Sequence, residues 1–156
     1  MKCSFTFTNC VLIFNAIVLC IRNTPKYIKI ASINLLSYII ICGNILVLMQ
    51  RERIQKDCKA TSSQMKIGNI VFHICIPILF IFVWIFYKKT TNNFNPIVNA
   101  LLAAIVSIST GILYLLFMNL DIAYDYGLQQ NIMNMYIGVG ILLTMLNCPL
   151  LSIQFR

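Results

Sequence analysis

Apolar residues run through this chain in long unbroken stretches rather than in alternation. Five stand out: residues 5–21, 28–49, 67–87, 97–118 and 132–153. None keeps the strict apolar–polar alternation of a membrane β-strand, so a barrel is excluded. A helix rises 1.5 Å per residue and needs about 20 apolar residues to cross the hydrocarbon, with about 17 as the lower limit. The pattern therefore predicts an all-α, polytopic transmembrane bundle of five helices in a single domain spanning residues 1–156. The first stretch is marginal in length, and Pro149 interrupts the fifth near its end. Lys2 ahead of an apolar run also fits a cleaved signal peptide. The first stretch, however, closes on Val18-Leu19-Cys20-Ile21 without a small-x-small cleavage site, so a retained helix is expected.

The breaks between stretches are polar. Arg22-Asn23-Thr24-Pro25-Lys26 makes a tight turn, Arg51 to Lys66 is the longest polar segment, and Lys88 to Asn95 leads to Pro96, which suits the first position of a helix. Asp121 to Gln130 is polar without a basic residue. Composition agrees with the pattern: 60% of residues are hydrophobic and 10% charged, too few charges to cover a water-facing surface.

The net charge of +8 invites a nucleic-acid reading, which the distribution rejects. The basic residues sit in short clusters between apolar runs, where membrane topology places them, and assemble no basic face. With five crossings, Lys2, Arg51, Arg53, Lys56, Lys59 and Lys66 share one side, and Arg22, Lys26, Lys29, Lys88, Lys89 and Arg156 the other. The counts tie, but the 51–66 loop is densest, which leans it and the N-terminus toward the cytoplasm. That loop is also a candidate contact for anionic lipid headgroups.

Seven cysteines form no C-x-x-C pair, and there is a single histidine, so neither structural zinc nor any other metal or cofactor is expected. Most of the cysteines read as small hydrophobes inside apolar runs. Cys58, in the polar loop, is the one candidate for reactivity or acylation. No nucleophile elbow, H-E-x-x-H, phosphate-binding loop or channel filter occurs, so catalytic residues are not expected and the chain reads as no enzyme.

Histidine inside a membrane helix is costly and often functional. His73 lies one turn before Pro77, whose missing N–H leaves the His73 carbonyl without its usual donor. The expected partners are Asn44 and Asn99, making His73, Asn44 and Asn99 a candidate intramembrane polar site. Ala103, Ser107 and Gly111, spaced by four, form a candidate packing face, with Gly138 and Gly140 in a similar role. Asn34, Asn44, Asn99 and Ser107 also outline the competing reading of a substrate path. Asp121 and Asp125 are spaced i, i+4 but lack the further oxygen ligands a metal needs.

The order of these features resembles a known family. A helix running from Asn34 to Met49 is followed by Arg51-Glu52-Arg53-Ile54-Gln55. Lys66-Ile67-Gly68-Asn69 then opens a helix, and Ile108-Ser109-Thr110-Gly111-Ile112-Leu113-Tyr114 lies in the next. Over roughly residues 28–147 this is similar to the damage-regulated autophagy modulator family. That family typically has six crossings and a long first outer loop, where this sequence has five stretches and a short turn. The resemblance implies a non-enzymatic endolysosomal or plasma-membrane protein that modulates autophagy or lipid signalling. A membrane-protein partner or a second copy of the chain would fit it. The rivals are a small transporter or channel subunit and a structural protein of an envelope or organellar membrane.

Overall fold

The structure is a computed structural model that describes residues 6–22, 24–87, 96–120, 125 and 127–154; the side chains of Thr6, Pro96, Asn99 and residues 147–154 are outside the description. It is all-α. We number the helices α1 (Thr6–Cys20), α2 (Lys26–Met49), α3 (Arg51–Cys58), α4 (Ser62–Phe86), α5 (Pro96–Asn119) and α6 (Gln130–Gln154). α2 and α4 are each continuous but carry one π-helical turn, at Ile39–Gly43 and Val71–Cys75.

Among the described residues, three helices, rather than the expected five, are long and apolar enough to cross a membrane. They are Lys26–Met49 (24 residues), Ser62–Phe86 (25 residues) and Ala100–Asn119 (20 residues). The outer two apolar segments, Phe7–Cys20 and Gln130–Leu146, are shorter over the residues whose side chains are described. For α1, of 15 residues, length is the limit: it reaches only about 22 Å of a ~30 Å hydrocarbon core.

α2 is the axis of the bundle. Of its most apolar window 61% is buried, against 22% for α4 and 28% for α5. It packs on α1, α4, α5 and α6 in turn. Leu36 and Trp84 are wholly buried in one apolar cluster with Leu12, Val18, Ile30, Ile33 and Ala103. Leu46, Tyr114, Met133 and Ile137 form a second. The remaining faces of α4 and α5 are apolar and exposed, including Ile78, Leu79, Leu101 and Ile105. Such surface has no favourable partner in water, and these helices read as multi-pass membrane elements.

Two features of the 51–66 loop depart from expectation. Arg51–Cys58 is helical, and α4 begins at Ser62, ahead of the expected start at Ile67. A capping box sets that start: Thr61 Oγ1 accepts from the Gln64 N–H at 3.2 Å and Gln64 Oε1 accepts from the Thr61 N–H at 2.9 Å. Cys58, the one candidate for reactivity or acylation, is engaged in a disulfide.

Candidate functional site

Thr8, Asn44, Asn69 and His73 form one chain of hydrogen bonds across α1, α2 and α4. The His73 ring is 2% exposed, so every polar atom on it must find its partner inside the protein. His73 Nδ1 lies 2.8 Å from Asn69 Oδ1. The Asn69 amide donates to Asn44 Oδ1 at 2.8 Å. At the other ring nitrogen, Thr8 Oγ1 lies 3.1 Å from Nε2. An amide oxygen can only accept, so Nδ1 carries the proton and donates to Asn69. Nε2 is then the acceptor, and the Thr8 hydroxyl donates to it. The ring is thereby fixed in one neutral tautomer.

The two π turns lie beside this chain, at Ile39–Gly43 and Val71–Cys75. Pro77 removes the N–H that would bond the His73 carbonyl, and the backbone widens, with the Ile76 N–H reaching back to the Val71 carbonyl. The Asn44 side chain serves both distorted helices. Its amide donates to the Ile40 carbonyl at 2.6 Å within α2 and to the His73 carbonyl across the interface at 3.4 Å. Gly43 is what lets the ring approach: a Cβ there would stand 2.5 Å from His73 Cδ2. Any side chain at this position has to displace the imidazole or part the helices.

Two further polar contacts lie toward the opposite end of the bundle. The Trp84 indole N–H donates to Asn15 Oδ1 at 3.0 Å, joining α4 to α1, while the Asn15 amide donates to the Val11 carbonyl at 2.9 Å. The Asn34 amide donates to the Ala103 carbonyl at 2.7 Å and to Ser107 Oγ at 2.8 Å, joining α2 to α5. Buried Ser32 Oγ and Asn34 Oδ1 accept nothing among the described residues.

Against the sequence-derived candidates, His73 and Asn44 lie together, linked through Asn69 and through the His73 carbonyl. The Asn99 side chain is outside the described residues, as is Asp121. Ala103, Ser107 and Gly111 all face inward, but they meet two helices rather than one. The first two lie against Asn34 of α2, and Gly111 lies against Ile137 and Ile141 of α6. A spacing of four drifts about 40° per step around a helix, so a stripe of three turns from one neighbour to the next. Gly140 meets Cys42, whereas Gly138 faces open space.

Thr8, Asn15, Asn69 and Trp84 were not legible as site residues. Two signals were available. Asn69 and His73 are one helical turn apart, and a buried indole N–H requires an acceptor. Among the described residues no group of three or more His, Cys, Asp or Glu is placed to hold a metal ion. No family model matches the sequence, and searches of curated proteins and of solved structures find no match.

Proposed function

We propose that this chain is a non-enzymatic multi-pass membrane protein acting as a scaffold or modulator, through contacts with membrane partners or with a second copy of itself. The observation that supports this best is the use its interior makes of polar groups. His73, Asn69, Asn44 and Thr8 bond to one another, Asn15 bonds to Trp84, and Asn34 bonds to Ser107. These are separate clusters, the first spanning α1, α2 and α4, the second joining α1 to α4 and the third joining α2 to α5. A conduit calls for polar atoms left available along one continuous face. The finer version, modulation of autophagy or membrane lipid signalling at an endolysosomal or plasma membrane, draws its support from the sequence resemblance alone.

The rival transporter reading draws on one observation, the unpartnered buried oxygens of Ser32 and Asn34. Reconstitution into sealed vesicles separates the two. A scaffold gives no flux of protons, monovalent cations or small neutral solutes above empty vesicles. Flux above that background, abolished by Asn34→Ala with the fold intact, would replace the scaffold with a transporter. A tagged copy, localised in its own cell and purified in mild detergent, tests the finer version. Co-purifying autophagy or lipid-signalling components on endolysosomal membranes are expected, and a different compartment without them would remove it.

A further inference from the structure

The segment between α2 and α4 is built as a platform at the membrane edge. Only Gln50 separates the end of α2 from α3, and α4 starts a few residues after α3 ends. Arg51, Ile54, Gln55 and Cys58 are half-buried, whereas Glu52, Arg53, Lys56, Asp57 and Lys59 are exposed. The half-buried set follows the i, i+3, i+4, i+7 rhythm of a helix lying with one face against the bundle. Ile54 packs against the cluster of Leu46, Tyr114, Met133 and Ile137, and Arg51 bonds to Ser62 at the start of α4. The platform is therefore held at its first residue and along its inner face.

What it presents outward is cationic and sits beside lipid-facing surface. Arg53 is engaged with Asp57 at 3.7 Å, but Lys56, Lys59 and Lys66 are exposed and have no acidic partner among the described residues. Immediately below, at the ends of α2 and α4, Leu48 is 69% exposed, Met49 47%, Ile67 62% and Ile70 48%. If α2 and α4 cross a bilayer, as the multi-pass reading holds, these four residues lie against acyl chains. The headgroup phosphates of the same lipids then stand at the level of the three lysines. A lysine ammonium is a compact charge on a flexible stem, suited to meeting a phosphate whose position varies.

We propose that α3 and the first turns of α4 form a binding surface for anionic phospholipid headgroups, with Lys56, Lys59 and Lys66 as its charged contacts. This rests on the multi-pass reading and adds a preferred lipid to it. The test offers the full chain, purified in mild detergent, equal amounts of phosphatidylglycerol and phosphatidylcholine with identical acyl chains. The retained lipid is then quantified by mass spectrometry. Phosphatidylglycerol should be enriched by at least about fivefold at low salt, the equivalent of the ~1 kcal/mol that one headgroup-level lysine contributes. It should fall toward parity at ~1 M salt, where the screening length is about 3 Å. K56Q/K59Q/K66Q should retain both lipids equally, while K26Q at the opposite end of α2 should keep the preference.

Equal retention by the unmodified chain, or a preference that survives in the triple variant, would overturn the proposal. So would displacement of the anionic lipid by free inorganic phosphate at matched ionic strength, which would assign the affinity to phosphate alone. Alkaline carbonate extraction of native membranes serves as a separate arm. A chain that stays in the membrane but shows no lipid preference loses only the headgroup surface; a chain that is extracted loses the multi-pass reading as well.

Discussion

The interface of α2 with α4 and the interface of α5 with α6 solve the same problem in different ways. In lipid, no hydrophobic force draws one apolar helix to another, so association depends on fit and on polar contacts. At the first interface both backbones are distorted into π turns, and Asn44, Asn69 and His73 bond across the contact. At the second, the α5 and α6 backbones stay regular and Gly111 lies against the side chains of Ile137 and Ile141. A polar contact fixes register, because sliding one helix by a residue strands several hydrogen-bonding groups at once. An apolar contact tolerates sliding but not added volume. The difference implies that volume at a tight spot should cost more than the loss of any single hydrogen bond, since such bonds average only ~0.6 kcal/mol between membrane helices.

The largest effect is therefore expected where the two kinds of contact coincide. Gly43→Leu should prevent assembly of the folded bundle, and Gly43→Ala should lower stability by about 2–3 kcal/mol, the upper part of the overpacking range. Gly138→Ala, at a position open to its surroundings, should change stability by less than ~0.5 kcal/mol. Reversible unfolding in mixed micelles compares them, and equal behaviour of the two alanine variants would remove the close contact between Gly43 and His73. Next comes Gly111→Leu, expected to cost about 1–3 kcal/mol because an added Cβ alone would stand 2.8 Å from Ile137 Cγ2. Leu116→Ile, on the exposed face of the same helix, should be tolerated; matching losses in the same unfolding assay would mean that α5 and α6 do not pack through Gly111.

Much of this architecture was legible in the sequence, and the part that was not has identifiable causes. Long apolar runs located α1, α2, α4, α5 and α6 because lipid imposes a length and a composition on a helix. The π turns were invisible, since one wider turn changes no residue type and no hydrophobic period. Pro77 marked the disturbance in α4, but nothing comparable marks Ile39–Gly43 in α2. His73 stands out in the sequence as a costly intramembrane residue, and Asn44 as a polar neighbour. Asn69 reads from the sequence as part of a helix entry, although it lies in the turn before His73 and supplies the ring's acceptor. The capping box at Thr61 and Gln64 was written in the sequence in full and would have moved the start of α4 to Ser62.

Smaller effects sharpen the polar side of the comparison. His73→Leu leaves Asn69 Oδ1 and the Thr8 hydroxyl without their shared partner. It should cost about 1–2 kcal/mol, within the range for an orphaned buried group. His73→Gln, which keeps a donor and an acceptor, should recover part of that loss in thermal denaturation, and a leucine variant as stable as the parent would show that the ring is not held by these bonds. Trp84→Phe keeps the ring's bulk and removes only the donor to Asn15, for an expected loss of about 0.6–1 kcal/mol. A loss of several kcal/mol there would place the weight of the α1–α4 contact on its polar bond rather than on the apolar cluster around Trp84.

His73 is the single histidine of the chain, which makes its ring directly observable. Nitrogen-15 spectroscopy of histidine-labelled protein in lipid, prepared with an affinity tag free of histidine, reads the protonation of Nδ1 and Nε2 separately. The hydrogen-bonded chain from Thr8 to Asn44 requires one neutral tautomer, with the proton on Nδ1 and a bare, hydrogen-bond-accepting Nε2. Asn69→Leu should release that constraint and shift the ring toward a mixture. A proton on Nε2 in the unmodified chain, or averaged signals of a ring open to solvent, would contradict the placement of His73 at the centre of the bundle.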